Sequence, residues 1–206
     1  MQKIESIDAL EAHYGKPKER TLRKEITYIN EHYRAFIEKS PFMILATYGE
    51  KGLDCSPRGD PAGFVRVVNQ DCIQIPDRLG NNRLDSLHNI INNPKVGLIF
   101  LVPNVGETIR VSGTAEILVD QALCESFAMQ GKAASAVISI QVEKAFYQCQ
   151  KAIVRSGLWQ SENHIERSEL PTVGEMAKVF ADMHNVEFSV EEFDKEYPKQ
   201  IKKTMY

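Results

Sequence analysis

The feature that most constrains this 206-residue chain is the block from about residue 42 to residue 149, where short apolar or alternating runs recur between turn residues. FMILATYG is an apolar run that ends at a Gly-containing hairpin, YGEKG. CSPRGDPAGFVRVV follows, irregular in its first half because of its Pro and Gly, and VNQD reads as a tight turn into the short alternating strand CIQIPD. KVGLIFLV is almost wholly apolar, as in a strand buried on both faces. ETIRVSGTAEIL places Ile109, Val111, Ala115 and Ile117 on one face, and AVISIQVEKAFYQC alternates through Ile138, Ile140 and Val142. This spacing predicts about six strands in a small barrel rather than alternating βαβ units.

Helices flank and interrupt these strands. Ile26, Ile29, Tyr33 and Ile37 fall at steps of three and four, which predicts a helix over 22–37 that ends at Ser40-Pro41. Residues 83–92 put Leu84, Leu87, Ile90 and Ile91 on one face, and 120–129 begins with a capping Asp. Met176, Val179, Phe180 and Met183 predict an amphipathic helix over 171–184, while 200–206 is mostly polar and reads as a fraying end. The expected class is mainly β with flanking helices. The segments are 1–40 (helical), 41–160 (barrel) and 161–206 (helical).

Several function classes are disfavoured early. A formal net charge of -3 does not describe a nucleic-acid binder. No run reaches the length of a membrane span, and the N-terminus lacks a signal-type apolar core, so the expected location is cytoplasmic. Cys55, Cys72, Cys124 and Cys149 are widely spaced and read as free thiols. The five histidines show no metal-ligand spacing, and no P-loop, G-x-G-x-x-G or G-x-S-x-G is present.

The most informative stretch is IPDRLGNNRL (75–84), a strand end, a Gly-containing loop and a helix start. Free amides at a helix N-terminus attract anions, and guanidinium forks suit phosphate oxygens. Arg78 and Arg83, with Asn81 and Asn82 as caps or donors, therefore describe a phosphate-sized anion site. The same residues equally describe a capped helix flanked by two solvated arginines. Arg58 lies between Pro57 and Gly59, where a backbone can approach a ligand, or it pairs with Asp60 at the surface. Arg110 shares a strand face with Thr108, and Lys151, Arg155 and the only Trp, Trp159, lie close in sequence. Each of these also has an ordinary reading as a solvated or packed residue.

Taken in order, SPRGD…GFV, IPDRLGNNRLDSL…NP, ETIRVSG and QKAIVRSGLW resemble the FMN-binding split β-barrels related to pyridoxamine 5′-phosphate oxidase. The resemblance covers about residues 41–159 and implies a homodimer with two FMN molecules at the subunit interface. It implies cofactor contacts from Ser56 and Arg58 on the second strand, and from Asp77 and Arg78 at a strand end facing the isoalloxazine ring. Asn81, Asn82 and Arg83 match a phosphate-holding loop. Thr108 and Arg110 match a Gln-x-Arg pair in which Thr replaces Gln. Lys151, Arg155 and Trp159 match a motif that reaches the flavin from the other subunit. The Arg-x-His-x-Arg ending of the pyridoxamine-phosphate oxidases is missing, since SENHIERSELP follows Gln160. The expected function is an FMN-dependent oxidoreductase acting on a small molecule other than pyridoxamine phosphate. The alternatives are a flavin carrier or redox sensor without turnover, and a barrel for haem or a deazaflavin, with His88 and His164 as the only candidate axial ligands.

Overall fold

The alternating pattern becomes seven antiparallel strands in the computed structural model, which describes residue 1 and residues 3–206. They are β1 (Phe42–Gly49), β2 (Gly52–Gly59), β3 (Arg66–Asn69), β4 (Cys72–Asp77), β5 (Lys95–Leu101), β6 (Thr108–Leu118) and β7 (Ala136–Gln148). The helices are α1 (Ile7–Tyr14), α2 (Glu19–Leu22), α3 (Glu31–Lys39), α4 (Asp85–Asn92), α5 (Gln121–Glu125), α6 (Lys151–Ser156), α7 (Val173–Met183) and α8 (Val190–Lys203). The fold is a mainly β split barrel with flanking helices. Its strand count exceeds the expected six because Pro61-Ala62-Gly63 breaks what the sequence presents as one irregular strand into β2 and β3. The interrupting helices consequently follow β4 and β6.

The strands are ordered β2-β1-β5-β6-β7-β4-β3, so β2 and β3 end the hydrogen-bonded ladder and do not pair with each other. One face of β1 and of β3 to β7 enters the main core, to which β2 adds no buried apolar residue. Met43 and Leu45 of β1, Leu98 and Phe100 of β5, Ile109 and Val111 of β6, and Ile138 and Ile140 of β7 are all buried there. Tyr33 and Ile37 of α3 plug the same core, and α3 ends before Pro41 as the sequence requires. The long helix expected over 22–37 is only partly present. Ile26 exchanges two backbone hydrogen bonds with Ala145, at 2.9 and 2.7 Å, and the helix begins only after Asn30, whose side chain caps Tyr33 N. A β-branched residue beside a free strand edge gains more from pairing than from a helical turn.

Other departures are smaller. β5 is buried on one face and half-exposed on the other rather than buried on both. α4 starts two residues later than expected, and α5 spans only five residues. α8, unmarked in the sequence because it is highly charged and contains Pro198, packs on α7 through Asp194, which accepts from Gly174 N at 2.8 Å. The apolar face Met176, Val179, Phe180 and Met183 of α7 points to solvent.

A bulge at Ser112/Gly113 lets β6 follow β7 around the barrel. A Cβ on Gly113 would land on the Gln141 carbonyl oxygen of β7. Gly113→Ala is therefore expected to cost about 1–3 kcal/mol, read as a lower urea midpoint at unchanged slope. An unchanged midpoint would show that the bulge yields without penalty.

Candidate functional site

The barrel is open along one seam, and the site lies in it. β3 stops pairing at Arg66, opposite Gln74, so Ile75–Asp77 of β4 have no β3 partner. Across the seam lies the free edge of β2. A cavity of about 650 Å³ fills this gap, bounded by 54–59 of β2, Asp60, 76–77 of β4, the 78–84 loop and the start of α4. That volume is in the range of small-molecule and cofactor sites.

Two crossed ion pairs span the seam. Arg58 on β2 donates from Nη1 to Asp77 at the end of β4, and both side chains are largely buried. Arg78 donates from Nε to Asp60 Oδ2 at 2.9 Å, with side-chain exposures of only 16% and 3%. The sequence reading that pairs Arg58 with its near neighbour Asp60 is thus wrong. Asp60 lies just past the end of β2, and each of the two finds its partner across the gap. Arg78 also donates from Nη1 to Phe127 O at 2.7 Å. Tyr206 donates its hydroxyl to the second oxygen of Asp60 at 2.6 Å, and its ring lies 5.7 Å from the Arg78 guanidinium. The expectation of a frayed end over 200–206 fails for the same reason: α8 runs to Lys203, and a buried carboxylate captures the residue at the end of its reach.

The donors left over define what the cavity can hold. Arg58 Nε is buried and has no hydrogen-bond partner among the described residues. Arg78 Nη2 has none among the described residues, and neither do the amides of Leu79, Gly80, Asn81 and Asn82. Asn82 and Leu84 adopt left-handed backbone, φ 56° and 57°, which bends the loop sharply into α4. Leu84 occupies the cap position and supplies no capping oxygen, so the expected Asn cap is not made. Asn81 Oδ1 instead accepts from Arg83 N at 3.1 Å. Arg83 itself is exposed and paired with Asp85 at 2.8 Å. The two free arginines expected here are therefore both engaged, one buried against Asp60 and one at the rim.

The site residues named from sequence fall into two groups. Ser56, Arg58, Asp77, Arg78, Asn81, Asn82 and Arg83 all line the cavity. Thr108, Arg110, Lys151, Arg155 and Trp159 do not; they gather where β6 begins and β7 ends. There Thr108 Oγ1 is buried without a partner among the described residues, and Arg110 lies 5.0 Å from the Phe146 ring. Trp159 Nε1 donates to Val105 O at 2.9 Å, while Lys151 and Arg155 are exposed on α6. His88 lines a neighbouring cavity rather than this one, and His164 is exposed. Sequence reasoning missed Tyr206, Ser135 and Ser86. Ser135 lines the cavity and Ser86 Oγ ties α4 to Asp54 Oδ2 at 2.6 Å. No local pattern marks any of the three.

Residues 29–149, more than half of the chain, match the family model described as pyridoxamine 5′-phosphate oxidase, and the protein belongs to that family. No curated protein matches the sequence. Among solved structures, the chain is similar to HupZ of Group A Streptococcus, at 21% identity over 59% of this chain and 94% of that one, with a TM-score of 0.48. It is also similar to a protein related to general stress protein 26, of the pyridoxinephosphate oxidase family, from Clostridium acetobutylicum. That match has 18% identity over 59% and 91% of the two chains, with a TM-score of 0.43. An FMN-binding protein from Syntrophomonas wolfei matches at 13% identity over 55% and 86%, with a TM-score of 0.42.

The Asp60 contact holds the Tyr206 phenol above its ordinary value, first through the donated hydrogen bond, then through lost solvation and the Asp60 charge, with Arg78 opposing. Because the folded value is the higher one, the stabilisation is complete below about pH 10 and is lost as the pH rises through the raised value. Subtracting the tyrosinate absorbance titration of Tyr206→Phe from that of the unmodified protein should isolate one phenol ionising above pH 10. A phenol ionising at or below 10 would contradict the contact.

Proposed function

We propose that this protein is an FMN-dependent oxidoreductase that binds the flavin in the seam cavity with its phosphate near Arg58, Arg78 and the 79–82 loop. The observation that carries this reading is the buried, unpartnered Arg58 Nε on the cavity wall. A buried donor without an acceptor costs free energy, and a phosphate oxygen supplies what is missing. The unpaired loop amides and Arg78 Nη2 fit the same anion, with Asp60 and Asp77 fixing the orientation of the two forks. Family membership supports FMN as the ligand. Bound FMN would supply hydride or electron chemistry, leaving the chain to bind, orient and shield it.

The reading includes a homodimer. The outer faces of β2, β1 and β5 carry Leu53, Cys55 and Pro57, Phe42, Ile44, Ala46 and Tyr48, and Ile99 and Leu101, in one register. Leu53 is 82% exposed and Tyr48 54%. A contiguous apolar sheet face of this kind calls for a partner, and a two-fold copy is the simplest one. The second group (Thr108, Arg110, Lys151, Arg155 and Trp159) would then serve the cavity of the partner, with the Thr108 hydroxyl finding its acceptor there. The substrate is a small molecule other than pyridoxamine phosphate in this reading, because SENHIERSELP after Trp159-Gln160 does not form the Arg-x-His-x-Arg motif that the resemblance associates with a substrate phosphate.

The test is an absorbance spectrum after adding FMN and removing the excess. Retained flavin bands and a mass twice 23.3 kDa are expected. A haem-type band, or no chromophore in a folded protein, would overturn the reading. Arg58→Ala should weaken FMN binding by about 1.5–3 kcal/mol, whereas the rim residue Arg83 should contribute far less. Reduction of the bound flavin by NADH or NADPH and its reoxidation by a substrate separate an enzyme from a carrier without turnover.

A further inference from the structure

We infer that Tyr206, beyond the end of α8, is a positioning residue for the anion site, acting on Arg78 through Asp60. The inference rests on the reading above that Arg78 serves the flavin phosphate.

Asp60 is the junction. One carboxylate oxygen accepts from Arg78 Nε at 2.9 Å and the other from the Tyr206 hydroxyl at 2.6 Å. With 3% of its side chain exposed, Asp60 has almost no water to replace either donor. The phenol therefore fixes the rotation of the carboxylate, and the carboxylate fixes the plane of the guanidinium. Phe127 O holds a second position of that plane at 2.7 Å, leaving Nη2 as the end available to a ligand. The Tyr206 ring stands 5.7 Å from the guanidinium, within cation–π range. Lys132 Nζ donates to the Tyr206 backbone oxygen and so anchors the residue from a second side. An arginine presented by three fixed partners binds a phosphate without first having to be ordered, whereas an arginine free to swing must lose that freedom on binding.

Tyr206 itself is outside the cavity lining, so it touches no flavin in this reading. Its substitution should change how well the phosphate is held and leave the ring system's contacts alone. Riboflavin differs from FMN only in lacking the phosphate, which makes the pair a direct readout. A general loosening of the barrel would weaken both ligands. A loss of Arg78 alignment weakens FMN alone.

The experiment measures FMN and riboflavin affinities, by quenching of flavin fluorescence, in the unmodified protein, Tyr206→Phe, Arg78→Ala and the double variant. Tyr206→Phe is expected to weaken FMN by about three- to tenfold with riboflavin unchanged, and to add nothing once Arg78 is removed. FMN affinity unchanged in Tyr206→Phe but lowered in Arg78→Ala overturns the positioning role and leaves the phosphate placement standing. Equal losses for FMN and riboflavin in Tyr206→Phe also overturn it, because they indicate a structural effect. Unchanged FMN affinity in Arg78→Ala overturns the phosphate placement, and the use of Tyr206 falls with it.

Discussion

The seam between β2 and the end of β4 is the constraint on which the rest of the molecule depends. A seven-stranded sheet curls around one core, yet its terminal strands do not pair, and the gap is held by side chains instead of a ladder. Arg58–Asp77 and Arg78–Asp60 cross it in opposite senses, so each strand end contributes one cation and one anion. Ion pairs this buried gain little net stability over an apolar contact, because desolvation offsets their attraction. What they add is geometry: they allow a polar cavity to remain open where a closed barrel would have filled the space with Val and Ile.

That arrangement shapes the anion recognition of the proposed function. The cavity wall is not a set of free positive charges, since Asp60 and Asp77 neutralise its two buried arginines. In the proposed function, recognition would come from directed donors that the pairs leave unused, which are Arg58 Nε, Arg78 Nη2 and the loop amides. Discrimination then depends on where N–H groups point more than on total charge, and the mild overall charge of -3 is no obstacle. The exposed pair Arg83–Asp85 at the rim, screened by solvent, contributes much less.

The outer sheet face and the far cluster belong to the same logic. β5 reads as an all-apolar strand, yet only its inner face meets the core; the outer residues Ile99 and Leu101 extend the apolar surface of β1 and β2. A half-buried apolar strand in a single chain, together with a buried hydroxyl lacking a partner at Thr108, is accounted for by one two-fold assembly in the proposed function.

Much of this was legible in the sequence. Period-two alternation gave Ile109, Val111, Ile138 and Ile140 their inward face, Pro41 ended α3, and IPDRLGNNRL marked a strand end, loop and helix beside a cavity. These follow from local rules: backbone periodicity, the missing amide of proline and the turn preferences of glycine and asparagine. The tertiary structure alone decided the pairing of charges. Arg58 and Asp60 flank Gly59 at the end of β2, Asp77 and Arg78 are consecutive at the end of β4, and no spacing reveals that their partners are exchanged across a seam. It also decided that Ile26 joins a strand edge instead of a helix, and that Tyr206 lies on Asp60 rather than in solvent. In each case the deciding contact joins residues distant in the chain, 119 positions apart for Ile26 and Ala145 and 146 for Tyr206 and Asp60, and the free energy of such contacts exists only once the fold has brought them together.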